Sequence, residues 1–242
     1  MGWAGITNGA VFALAVLAAG CAAPNRSVTA GFWFEATSYT SAGLGTLTAA
    51  DLVTIDTVAR AELHTAFEGL SIVLSDRRDA RYRVVVTQDL RDERMKREMS
   101  VAGASRAIAG LGGSGAVSLA FLAAAAEVYA PKDSSRATIV DGIGRGIGRV
   151  AAHEFAHQLL PDVPIHDSRD PATFEYGAAN RPEQYFGTLR WGFAGPLLRE
   201  KFGRPPRPSS RRFDADSPNG PALQSAGFNL RLFPLCGTRA HR

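Results

Sequence analysis

Between Ala49 and Leu70 apolar side chains recur every three to five residues, at Leu52, Ile55, Val58, Leu63 and Phe67. Side chains so spaced share one face of a helix, so the segment is predicted to be an amphipathic helix burying that face. Ahead of it, Gly31 to Tyr39 (GFWFEATSY) is aromatic-rich and partly alternating, a strand pattern. Behind it, Ser71–Leu74 and Ala80–Gln88 read as two strands separated by the turn-like Asp76-Arg77-Arg78-Asp79. Leu90 to Ser105 has no clear period and is expected to be loop, and Gly110 to Gly115 to be flexible backbone before an apolar run through Tyr129. A turn at Pro131–Ser135 leads into a long helix-compatible stretch that stops at Leu160-Pro161, because proline disfavours helical backbone in the residue before it. Asn180-Arg181-Pro182-Glu183 reads as another helix start, with Asn180 as cap and Glu183 closing a capping box. This order predicts an α+β fold, a small mixed twisted sheet with a backing helix, assembled before the long helix.

The two ends of the chain change the picture. Val11 to Gly20 is an apolar run of about ten residues, too short to span a bilayer and suited to a signal-peptide core. It ends in Leu17-Ala18-Ala19-Gly20-Cys21, which resembles a bacterial lipoprotein cleavage box. The resemblance implies a signal peptide over 1–21, lipid attachment at Cys21 and anchoring to the non-cytoplasmic side of a bacterial membrane, followed by a tether over 22–30. The second and last cysteine, Cys236, then has no intramolecular partner, so a domain over 31–203 must hold together by its core. The formal charge of +4 is concentrated toward the C-terminus, where Arg204, Arg207, Arg211 and Arg212 lie among Pro and Ser in an expected solvated tail over 204–242. No nucleic-acid-binding motif is present, and a monomer is expected.

The candidate chemistry lies within Val150-Ala151-Ala152-His153-Glu154-Phe155-Ala156-His157-Gln158-Leu159. Histidines four apart on a helix aim at one point, as two zinc ligands must. Glu154 stands about a hundred degrees round the helix from His153, beside such a metal without ligating it, where it can take a proton from water. Two buried imidazoles and a carboxylate without a metal would each need another partner. A catalytic zinc needs a third protein ligand. His166, after Pro161-Asp162-Val163-Pro164-Ile165, is the first candidate, and Glu175 the alternative in the manner of thermolysin-like enzymes. Asp167 and Asp170 are read as groups holding a histidine or as turn residues.

His153, Glu154, His157, His166 and Asp167 together resemble the metzincin group of zinc peptidases. The chain departs from that pattern at Leu160, where a glycine is usual, in the nine-residue spacing to the third histidine, and in having no methionine after the motif. Phe174-Glu175-Tyr176-Gly177 stands where the family's Met-turn would be, with Phe174 under the metal and Tyr176 near it as an oxyanion donor. The resemblance implies a zinc metallopeptidase acting on protein or peptide in the cell envelope, with an apolar strand near 116–130 as the cleft's upper edge. A zinc amidohydrolase acting on cell wall and a non-catalytic surface-binding lipoprotein are the competing expectations. The alternating glycines of Asp141 to Gly148 are expected to pack the motif helix closely on the sheet, and Tyr185 and Trp191 to be core.

Overall fold

The computed structural model describes residues 27–91 and 101–203. The expected signal peptide, Cys21, most of the tether, the basic tail and Cys236 lie outside the described residues. Strands β1 (Val28–Phe34), β4 (Ile72–Ser75), β5 (Tyr82–Thr87), β6 (Gly103–Ile108) and β7 (Gly112–Ser118) form one sheet, and β2 (Thr40–Ser41) and β3 (Gly45–Thr46) a small hairpin. The helices are α1 (Ala49–Ala66), α2 (Leu119–Tyr129), α3 (Arg136–Leu159), α4 (Glu183–Phe186) and α5 (Ala194–Phe202), with a 3-10 turn at Ile165–Asp167. The fold is therefore mixed α+β with a mostly parallel sheet. No helix among the described residues is long and apolar enough to cross a membrane.

The sheet order is β4-β1-β5-β7-β6, and only the edge strand β6 runs antiparallel. β1 begins at Val28, three residues inside the expected tether. The short connection from β4 to β5 crosses β1 at Gly31, where an added Cβ would collide with the Arg77 carbonyl oxygen. Only glycine lets the crossing lie flat.

Three expectations for residues 90–130 are corrected. The glycines from Gly112 to Gly115 are not a flexible loop but the first half of β7. The expected loop to Ser105 already contains the first three residues of β6. The apolar run after Ser118 is helix, not strand: the Ser118 hydroxyl accepts from the Phe121 N–H and caps it, and Leu119, Leu122, Ala123 and Ala126 recur with helical spacing and are buried.

α1 and α3 cover one face of the sheet. Ala30, Phe32, Val84, Val86 and Val117 from the strands meet Ile55, Leu63, Ile143, Ile147 and Phe155 in one buried core. Each large side chain there contributes about 1.5–3 kcal/mol. The glycines of α3 serve helix contacts instead of the sheet. Gly144 and Gly148 admit α1 at Ile55, Val58 and Ala59, while Gly142 and Gly146 admit the rings of Phe186 and Tyr185. Glycines two apart thus form two stripes on two faces. The expected capping box at 180–183 is absent: α4 starts at Glu183, with Pro182 in the cap position and no side-chain cap. One is present at α1, where Thr48 and Asp51 cap reciprocally and Arg136 adds a bond to Asp51 (2.7 Å).

Candidate metal centre

α3 presents His153 and His157 on one face, their Nε2 atoms 3.2 Å apart. The helix ends at Leu159, and the N–H of Leu160, which caps it, still donates to the Ala156 carbonyl. The chain then doubles back through Pro161–Pro164 into the 3-10 turn, where buried Ile165 is the anchor. That turn delivers His166, with Nε2 at 2.9 Å from that of His153 and 3.0 Å from that of His157. Three nitrogens on one tetrahedral zinc, at 2.0–2.1 Å each, stand about 3.3–3.4 Å from one another. The observed triangle matches within a few tenths of an ångström. Among the described residues these three histidines are the only group of this kind.

Protonation suits ligation too. The His153 Nδ1 lies 2.6 Å from the Phe174 carbonyl oxygen, which only accepts, so Nδ1 carries the proton and the neutral ring turns a bare Nε2 to the centre. Burial pushes His153 down to about 3 and His157 down to about 4, which keeps both in the neutral, ligating form. Burial pushes the Glu154 carboxyl up to about 8. This carboxylate is 5% exposed, finds no protein hydrogen bond among the described residues, and lies so close to Gly103 of β6 that a Cβ there would meet it.

Glu175 is not a ligand here. It is fully buried, and its carboxylate accepts from the N–H groups of Gly192 (2.8 Å) and Ala194 (2.9 Å), holding the start of α5. Asp170 is a turn residue, accepting from Ala172 N–H and pairing with Arg190. Asp167 is exposed and holds no histidine. Phe174 contributes its carbonyl to His153 while its ring lies against Trp191, centroids 4.6 Å apart. Tyr176 lines the cavity beside the triad with its ring under the Arg181 guanidinium, 4.5 Å away.

Three features were not foreseen from sequence. Buried Arg181 donates to the carbonyls of Thr173 (3.1 Å) and Ala178 (2.8 Å), clasping the segment that carries Phe174. Gln158 accepts from the Arg83 N–H and donates to the Arg83 carbonyl, both at 3.0 Å, bolting the motif helix to β5. Gly113 leaves the space for it, since a Cβ there would strike the Gln158 side chain. The signal was in the text: a glutamine directly after His157, and glycines with no obvious use.

Beside the triad lies a cavity of about 720 Å³. Its walls include Val101 to Ser105, Phe121, Val150, Ala178 and Ala179. In comparisons with known proteins, no family model and no curated protein matches this chain.

Proposed function

We propose that the protein is a zinc-dependent peptidase of metzincin-like design, held at the cell envelope through Cys21. The convergence of three Nε2 atoms beside a buried, unpartnered Glu154 carries this reading. His153, His157 and His166 would hold the metal. When bound, zinc supplies Lewis acidity, polarising a peptide carbonyl and activating water. Glu154 accepts the water proton on its carboxylate and returns it to the leaving nitrogen, and burial raises its affinity for that proton.

The role first expected of residues 116–130 passes to β6, the edge strand whose first half lines the cavity. An extended peptide adds to such an edge through main-chain hydrogen bonds. The apolar walls at Phe121, Val150, Ala178 and Ala179 take a bulky apolar side chain next to the scissile bond, so Ala179→Phe is expected to shift cleavage toward small residues. Sequencing the peptides cut by each form would check this.

The deciding experiment is metal content of the chain from residue 22, beside His166→Ala and Glu175→Ala, with cleavage assays on unfolded protein and on purified cell wall. One zinc per chain, lost with His166→Ala only, together with protein cleavage, supports the reading. Cleavage of cell wall alone would assign the site to amide hydrolysis there, and zinc-free wild type would end the enzyme reading.

A further inference from the structure

Ala107-Ile108-Ala109-Gly110-Leu111-Gly112-Gly113, the tip of the β6–β7 hairpin, contains no polar side chain. Turns are ordinarily polar, because their side chains face water. Here Ile108 is 64% and Leu111 73% exposed. The hairpin is well formed: the Leu111 N–H donates to the Ile108 carbonyl, Gly110 takes a positive φ of 78°, and Arg81 holds the Gly110 carbonyl. An ordered tip that shows water only apolar groups calls for a partner.

Cations surround it. Arg83 and Arg106 are both register partners of Ser114, so they stand on one face of the sheet on either side of it. Both are exposed, and neither forms an ion pair among the described residues. The chain also arrives at this end. Val28 lies two positions before Ala30, which pairs with Tyr82, which pairs with Gly113. Six residues separate Cys21 from Val28, and six residues span at most about 20 Å.

We infer that the β6–β7 hairpin tip docks on an anionic bilayer, with Ile108 and Leu111 entering the headgroup region and Arg81, Arg83 and Arg106 meeting lipid phosphates. Apolar tip, arginine collar and short lead from Cys21 all point to the same end of the sheet. An anionic surface supplies the charge the collar lacks. The docking goes beyond the peptidase reading and is independent of zinc.

The test is co-sedimentation of the chain from residue 22, C-terminal tail included, with phosphatidylcholine vesicles with and without phosphatidylglycerol. The wild type is expected to bind the anionic vesicles. Ile108→Asp with Leu111→Asp is expected to weaken binding at least about tenfold, and Arg106→Glu about fivefold. These side chains are exposed, so melting temperature and zinc content stay at wild-type values, which separates this test from that of the peptidase reading. Undiminished binding by the double variant, or binding abolished by removal of 204–242 alone, would overturn the inference. So would a concentration-dependent dimer lost in the double variant without vesicle binding, which would assign the tip to a second copy of the chain.

Discussion

His153 commits one ring nitrogen to the Phe174 carbonyl and turns the other toward His157 and His166, so the triad depends on a backbone segment that carries no ligand. Arg181 holds that segment from within, and its loss takes the donor from the part-buried Ala178 carbonyl and leaves the Thr173 carbonyl only the long bond from the Tyr176 N–H (3.4 Å). Arg181→Ala is expected to weaken zinc affinity about 10–100-fold, measured by chelator competition. Glu154→Gln keeps the shape and loses the base: zinc content stays, and peptide cleavage falls about 10²–10⁴-fold. The triad was legible because its spacing alone states its geometry, two histidines one helical turn apart and a third beyond a proline-bounded reversal. The role of Glu175 was not. Its partners, the N–H groups of Gly192 and Ala194, become neighbours only when the chain folds back.

α3 was readable as an element from its helix-compatible run and its proline stop, and α1 from its apolar face. β7 was not, because glycine carries no strand preference and its choice here answers to Gln158 on another element. α2 was misread for the opposite reason: a short, wholly apolar run looks the same whether it becomes buried strand or buried helix. Two substitutions test how the motif helix is held. Gly148→Leu forces a side chain into the Ala59 backbone and is expected to destabilise the fold by about 1–3 kcal/mol in urea unfolding. Gln158→Ala removes both bonds to Arg83 and is expected to cost about 2 kcal/mol by the same measurement, with a further loss of cleavage as the histidines lose their fixed depth.

For the molecule as a whole, the Asp51–Arg136 junction ties the start of α1 to the start of α3. The Arg136 guanidinium and the Thr48 N–H and hydroxyl lower the Asp51 carboxyl from 3.8 to about 2. A depressed folded-state pKa adds stability that is fully present above 3.8 and is lost as pH falls through about 2. Asp51→Asn is therefore expected to melt lower than wild type at neutral pH, the gap closing as pH drops through that window in thermal scans. The strand order carries a different consequence, in time. β1, first in the sequence, sits inside the sheet between β4 and β5, and β5 waits in turn for β7. Only the hairpins β2–β3 and β6–β7 pair strands that are adjacent in sequence. β1 thus has no complete berth until residues near 87 have been made, and the sheet lacks β7 until those near 118, so the emerging chain stays open through about half of its synthesis. Such late, long-range closure is slow, on the order of milliseconds to seconds. A chain that locks late remains threadable early, a property that the proposed placement at the cell envelope would draw on.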